Sequence, residues 1–114
     1  NKGDIVTIEF KINGMKFLAL NGGPEFPFNP SVSFTIECRN QKEIDYYWEK
    51  LSSNPSAEQC GWLQDKYGLS WQVVPKVLSK MLLRGTEEQR KRLTEAYMDM
   101  KKFEIEKLER AWRK

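Results

Sequence analysis

The side chains that could carry out chemistry are few, and the most informative feature is the absence of histidine. The 114-residue sequence contains no His. Histidine is the commonest general base near neutral pH and the commonest ligand for transition metals. A Ser-His or Cys-His catalytic pair within this chain is therefore excluded. The exclusion does not extend to a segment that precedes the chain or to a partner chain.

Cys38 and Cys60 are the candidate thiol nucleophiles. A reactive thiol needs a nearby cation or a helix N-terminus to lower its pKa, and the neighbours of Cys60 in the sequence supply neither. Without a recognisable signal peptide, both thiols are expected to be free and reduced. We expect no catalytic role for Cys60.

Three polar side chains are candidates for binding a small molecule. Neighbours on a strand point to opposite faces, so if Trp71 faces the helices, Gln72 faces a cavity; the alternative is a Gln that faces solvent. Ser33 and Thr35 share the face opposite Phe34. Their hydroxyls either bond a ligand or form a polar outer face.

Four further candidates lie near turns or strand ends. Asn21 follows the second strand and either caps the next turn or contacts a ligand. Phe26 and Phe28 occupy the Gly- and Pro-rich segment 22–30, where they either plug the edge of the core or line a pocket mouth. Trp62 is a candidate ligand contact; as a large aromatic residue it also suits a core or interface anchor, like the other three Trp residues.

These residues must be positioned by a β-hairpin, a strand–helix–strand–strand segment and C-terminal helices. Val6, Ile8, Phe10 and Ile12 alternate with polar residues, which predicts a strand with one buried face before the Asn13-Gly14 turn. Residues 15–21, apolar on both faces, suit a returning strand inside a sheet.

The next segment predicts a strand over residues 32–38 and a helix over 40–51. Asn40 is a good N-cap, and Glu43 completes a pattern similar to a capping box. A stripe at helical spacing should pack on a sheet with Trp48 buried; its members are Ile44, Tyr47, Trp48 and Leu51.

The remainder predicts two strands and three helices. Strands cover residues 60–63 and 69–74, with Gly68 at positive φ in the turn between them. A helix over 76–83 ends near Gly85, Thr86 and Gln89 form a capping box for the second helix, and the third covers about 104–112. The fold class is therefore α+β.

Composition limits the class of protein. Hydrophobic residues make up 39% of the sequence and charged residues 31%. The net charge is only +3 and basic and acidic residues are interspersed, so nucleic acid is not an expected partner. No apolar run approaches the ~20 residues of a membrane helix, and no signal peptide is recognisable, which favours the cytoplasm. Because the sequence starts without Met and runs straight into a strand, it is expected to begin inside a larger domain.

Three segments resemble the vicinal-oxygen-chelate superfamily, which includes glyoxalase I and bleomycin-resistance proteins. The resemblance is to its PhnB-like branch, labelled 3-demethylubiquinone-9 3-methyltransferase-like. It covers residues 4–112, and the longest similar stretch has the sequence CGWLQDKYGLSWQVVP. The other two are FLALNGGP at residues 17–24 and YWEKL at residues 47–51.

The resemblance implies curled βαβββ modules. Residues 1–23 would be the remainder of the first module, without its initial strand, helix and strand; residues 31–75 the second module; and residues 76–113 C-terminal helices of the same single domain. Relatives of this kind commonly pair modules across a two-fold axis, so a homodimer is expected.

The resemblance also bears on metal and cofactor chemistry. Metal-dependent relatives carry a Glu on the last strand of the second module, and Gln72 takes that place here. A neutral amide supplies no charge and cannot act as a base; with no His, no metal and no cofactor are expected. The stretch Gly22-Gly23-Pro24 predicts a turn rather than a cradle for S-adenosylmethionine.

Three hypotheses about function follow. The first is a glyoxalase-like protein that binds a small, partly aromatic or apolar molecule without a metal. The second is an enzyme of the same superfamily, either the labelled methyltransferase or a metal-dependent enzyme with ligands outside this sequence. The third is an interaction module in which the helices of residues 76–112 dimerise.

Overall fold

The structure is a computed structural model that describes residues 3–114. As the sequence predicts, it is α+β, with a two-stranded sheet, a three-stranded sheet and C-terminal helices in chain order. A short 3-10 turn lies at Pro55–Ala57. The strands and helices are β1 (Thr7–Ile12), β2 (Met15–Leu20), β3 (Ser33–Cys38), α1 (Gln41–Leu51), β4 (Trp62–Gln64), β5 (Ser70–Pro75), α2 (Lys76–Arg84), α3 (Glu87–Met98) and α4 (Ile105–Arg113).

The predicted hairpin is confirmed. β1 and β2 run antiparallel with Ile12 opposite Met15, next to the turn. Asn13 and Gly14 have φ values of 51° and 83°, the positive values that a type I′ hairpin turn requires of both central residues.

One face of this hairpin is entirely apolar, and all of its residues except the half-buried Phe17 are exposed. The register places on it Ile8, Phe10, Ile12, Met15, Phe17 and Ala19. The prediction of a buried face is therefore wrong for the described residues, because the main contacts of β1 and β2 within residues 3–114 are with each other. The prediction that residues 15–21 lie inside a sheet is also wrong, since among residues 3–114 β2 pairs only with β1.

The three-stranded sheet has the order β3-β5-β4. β3 and β5 are parallel, joined by a crossover that contains α1 and β4, and β4 is antiparallel to β5. This confirms the predicted order of strand, helix, strand and strand. One face of the sheet packs against the helices, and there Leu63, Val73, Ile44, Leu93 and Leu108 are at most 1% exposed.

The start of α1 agrees only in part with the predicted capping box. The Asn40 side chain accepts a hydrogen bond from the Glu43 N–H at 2.9 Å, as expected. The Glu43 carboxylate, however, accepts from the N–H of Arg39 at 2.6 Å rather than from that of Asn40. Trp48 is half-buried; the prediction that it is buried is wrong, because its indole lies at the rim of the core, where Nε1 donates to Glu58 Oε2 at 3.1 Å.

The C-terminal helices are tied to the sheet by the linker between α3 and α4. The N–H groups of Cys60 and Gly61 donate to the carbonyls of Met100 and Lys101 at 2.7 and 2.8 Å. Both donors have positive φ. A Cβ on Gly61 would overlap the Phe103 ring, so this tight turn requires glycine for conformation and for space.

Two predicted helix boundaries are confirmed. Thr86 and Gln89 form the capping box of α3. Gly85 is the C-cap of α2 at a φ of −74°, so its glycine is not required by positive φ. A Cβ there would lie 2.6 Å from the Trp112 ring. The close approach of α4 therefore explains why position 85 is a glycine.

Candidate functional site

The predicted polar candidates lie on the face of the three-stranded sheet that points away from the core. The register aligns Thr35, Gln72 and Trp62 in one row across β3, β5 and β4. Ser33 shares this face of β3. The sheet therefore brings four of the seven candidate residues together.

A direct hydrogen bond links two of these residues. Gln72 Nε2 donates to Ser33 Oγ at 2.9 Å across the two parallel strands. Both side chains are half-buried, and Trp62 beside them is half-buried as well. The bond leaves the Gln72 carbonyl oxygen, which has two lone pairs, as an acceptor on a face that carries an indole.

Trp71 lies on the opposite face, as the alternation predicts. Its ring packs against the core, and its Nε1 donates to Asp65 Oδ2 at 3.0 Å. The other oxygen of Asp65 accepts from the N–H groups of Tyr67 and Leu69 at 2.9 and 3.0 Å. Asp65 thus fixes the turn before β5 and the orientation of Trp71, and with it the side to which Gln72 points.

An aromatic row connects the hairpin to the sheet. Phe10 stacks on Phe17 with ring centroids 5.5 Å apart, Phe17 meets Phe34 edge-on at 5.8 Å, and Phe34 contacts Trp71 at 5.5 Å. Such pairs contribute roughly 0.5–1.5 kcal/mol each beyond area burial. This row orients the hairpin turn over the edge of β3.

A cavity of about 670 Å³ lies where the hairpin turn approaches β3 and α1. Five of the nine residues that line it are apolar or aromatic, among them Ile12, Tyr47 and Trp71. The polar and charged groups of the lining come from Asn13, Thr35, Glu37 and Lys76. Apolar walls with a few polar groups are typical of small-molecule pockets. Thr35 thus belongs both to the row with Gln72 and to this cavity.

The three remaining candidates lie apart from the Gln72 row. Asn21 bonds back to the start of the hairpin: its N–H donates to Val6 O at 2.8 Å and its Nδ2 to Ile5 O at 3.3 Å. Phe26 is 89% exposed and Phe28 is 59% exposed, both in the irregular segment before β3.

The residues present do not fit the divalent metal site of metal-dependent glyoxalase-like proteins. Gln72, at the position of the expected Glu, is a neutral amide already bonded to Ser33. Within residues 3–114 no group of three His, Cys, Asp or Glu side chains is arranged to hold a metal ion. Sites for transition metals are built from imidazole, thiolate and carboxylate ligands, and we derive no chemical step through a metal.

The two thiols differ in their surroundings. Cys38 is 1% exposed, and its burial, followed by the charge of Glu43, raises the pKa of the thiol to about 11. Cys60 is half-buried, with its Sγ 3.4 and 3.3 Å from the carbonyls of Tyr97 and Met98. Both cysteines are free.

Sequence reasoning did not identify Tyr47 and Lys76 as residues of the cavity. Tyr47 belongs to the apolar stripe of α1, and its position at the end of the sheet is set by the crossover. Lys76 begins α2 directly after β5. No pattern in the sequence reports that both lie near the hairpin turn, because that proximity depends on the packing of three separate elements.

Comparison with known proteins identifies the family. A family model described as 3-demethylubiquinone-9 3-methyltransferase matches residues 1–74. A solved structure described as a putative 3-demethylubiquinone-9 3-methyltransferase, PhnB protein, from Bacillus cereus is 32% identical, with a TM-score of 0.50. The match covers 61% of this chain and 64% of that one, just under two thirds of its length. No curated protein matches the chain.

The family model covers more than half of the sequence, and the match to the solved structure agrees with the α+β fold and with the glyoxalase-like resemblance. The chain therefore belongs to the 3-demethylubiquinone-9 3-methyltransferase family, in its PhnB-like branch.

Proposed function

We propose that the protein binds a small molecule on the polar face of its three-stranded sheet and that it does so without a metal. The observation that carries this proposal is the Gln72–Ser33 hydrogen bond at 2.9 Å beside Trp62. A planar, uncharged ligand with a hydrogen-bond donor suits this face, because the free amide oxygen of Gln72 can accept a hydrogen bond and the indole of Trp62 offers an apolar surface.

Matched variants and an NMR screen with small aromatic compounds test this proposal. Gln72→Leu removes the amide at similar volume, whereas Gln64→Leu makes the same change on the same face of β4, where the amide oxygen instead accepts from Asn54 at 3.0 Å. Compounds should shift the backbone amides of residues 33–35, 62 and 72. Gln72→Leu should weaken their binding about tenfold, as loss of a hydrogen bond worth ~1.4 kcal/mol predicts. Gln64→Leu should change it little.

Two results would contradict the proposed site. If compounds bind elsewhere and Gln72→Leu does not change their affinity, the polar face of the sheet is not the binding site. Stoichiometric zinc, nickel or iron in purified full-length protein, lost in Gln72→Ala, would show that this position is a metal ligand and would favour the enzyme hypothesis.

A homodimer is the second part of the proposal. Support comes from the apolar face of the hairpin, on which Ile8 is 53%, Ile12 is 49% and Met15 is 64% exposed. Contiguous exposed apolar surface of this kind is typical of an interaction site. Among the residues that the structure describes, no further strand pairs with the outer edges of β1, β2 and β3, so these edges offer backbone groups to a second copy.

We also propose that the chain is a single domain made of three segments and that it is located in the cytoplasm. Residues 1–23 are the remainder of a first module, residues 31–75 the second module and residues 76–113 C-terminal helices. Two free thiols suit the reducing cytoplasm. Within residues 3–114, no helix combines the length and apolar character that a membrane span requires.

A further inference from the structure

A shallow groove of about 660 Å³ runs between α3 and α4, the two helices farthest along the chain. Four of the residues that line it are basic: Arg92, Lys107, Arg110 and Lys114. The single acidic residue lining it is Glu95. The groove is built from elements that contribute nothing to the face with Gln72.

Arg92 is held in place without an acidic partner. Its Nε donates to the carbonyl of Ala111 at 2.9 Å and its Nη2 to that of Trp112 at 3.3 Å. Both carbonyls belong to the last turn of α4. The C-terminal end of a helix carries a partial negative charge, which the guanidinium offsets. A guanidinium has five N–H donors, so three are left for a further acceptor. Within residues 3–114 no carboxylate forms an ion pair with Arg92.

The other cations are weakly paired. Lys107 contacts Glu104 at 3.0 Å and Arg110 contacts Glu106 at 3.1 Å, both along the surface of α4. These side chains are about half exposed or more, and exposed pairs of this kind are worth roughly 0–1 kcal/mol. An anion with several oxygens in the groove can therefore compete for both cations.

The charge of the whole chain is concentrated in the same region. Residues 76–114 contain 12 basic and 7 acidic residues, a net charge of +5, whereas residues 1–75 contain 7 and 9, a net charge of −2. A separation of this kind attracts anions toward the helical end.

We propose that the groove between α3 and α4 binds an oxyanion group of a small molecule, with Arg92 as the fixed donor and Lys107, Arg110 and Lys114 as mobile cations. Phosphate and carboxylate share the required chemistry, since both accept several hydrogen bonds from Arg and Lys. The inference is independent of the proposed site at Gln72.

NMR titration of the full chain with inorganic pyrophosphate, and separately with citrate, tests this proposal at constant ionic strength. Saturable shifts should concentrate on the amides of residues 92–96 and 107–114. Lys107→Gln/Arg110→Gln should weaken binding at least about fivefold, because two charges beside the anion are removed. Lys42→Gln/Lys80→Gln, two exposed lysines of α1 and α2, makes the same change in net charge and should alter affinity less than about twofold.

Each outcome bears on the proposal. Binding of pyrophosphate, citrate or both with the predicted dependence on Lys107 and Arg110 supports it, and the stronger ligand identifies the preferred oxyanion. Equal weakening by the two double variants would show attraction by net charge alone. That result, or the absence of localised saturable shifts with both compounds, overturns it. Circular dichroism of each variant separates these outcomes from loss of folding.

Discussion

In both the hairpin of β1 and β2 and the body from β3 to α4, apolar residues recur with the period of the strand or helix. The apolar residues of the body are buried, whereas those of the hairpin are largely exposed. Ile8 on the hairpin is 53% exposed, whereas Ile44 in α1 is fully buried. The molecule extends 63 × 30 × 23 Å with a radius of gyration of 17.3 Å, against roughly 13 Å for a compact chain of this length. Periodicity determines which residues share a face, and a second element must exist before that face is buried.

The largest expected effect contrasts these two isoleucines. Ile44→Ala should lower the free energy of unfolding by about 3–4 kcal/mol, because it leaves a cavity in a close-packed core. Ile8→Ala should cost less than about 1 kcal/mol in the monomeric chain, because little apolar area is lost. Urea denaturation measures both in a Met15→Asp background, which keeps the chain monomeric, because Ile8 lies on the proposed dimer face. Similar losses would show that the hairpin packs as tightly as the body.

A pair of glycines sharpens the comparison. Gly61 and Gly14 both have a φ of 83°, but a Cβ on Gly61 would overlap Phe103 and lie 3.1 Å from Val73 O, whereas Gly14 has nothing within 4 Å. Gly14→Ala should cost about 1–2 kcal/mol from its left-handed conformation alone. Gly61→Ala should cost about 1–3 kcal/mol more from overpacking. Equal losses would show that the turn at Gly61 relaxes freely.

A smaller effect is expected at Trp48, on the rim of the body. Glu58 Oε2 accepts from Trp48 Nε1 at 3.1 Å and from Ser52 Oγ at 2.6 Å. Trp48→Phe keeps an aromatic ring but removes the indole donor, and should destabilise the protein by about 1–2 kcal/mol. The same change in a Glu58→Gln background should cost less, since the acceptor is no longer charged. If Trp48→Phe lowers the free energy of unfolding equally in both backgrounds, the loss comes from packing of the ring and not from the hydrogen bond to Glu58.

The last contrast concerns the pH response of Cys38, which has no effect at neutral pH. Its folded pKa of about 11 exceeds the ordinary value of 9.0, so burial favours the neutral thiol. The resulting stability is fully present below pH 9 and is lost as the pH rises toward 11. Wild type should therefore lose more stability than Cys38→Ala over this interval in urea denaturation. Parallel losses would contradict the assignment.

The local elements of the body were predictable because their signals are local. The N-cap at Asn40, the capping box of Thr86 and Gln89, and the positive φ of Gly68 each depend on a few neighbouring residues. The face to which Gln72 points followed from strand alternation once Trp71 was assigned to the side of the helices. The hydrogen bond of Gln72 to Ser33 depends on the strand register, which no local pattern specifies.

The errors have physical causes of a different kind. Trp48 lies in an apolar stripe, but the polar partner Glu58 that keeps its indole at the rim comes from a later loop. The alternation in β1 gives no information about whether a covering element is present. The α3–α4 groove was also missed, because the mixed charges of α3 are typical of a solvated helix face and the groove appears only when α4 packs beside it.

The central claim is that the apolar face of the hairpin, unlike the core of the body, is buried only by a second copy of the chain. The most direct test is the mass in solution, measured by light scattering from micromolar protein upward. The account predicts a dimer of twice 13.5 kDa. Met15→Asp, on the apolar hairpin face, should convert it to a monomer, whereas Leu18→Asp, on the opposite face and 61% exposed, should leave the mass unchanged. A wild-type mass of 13.5 kDa that persists to ~100 μM would limit association to weaker than about −5 kcal/mol and would contradict the account.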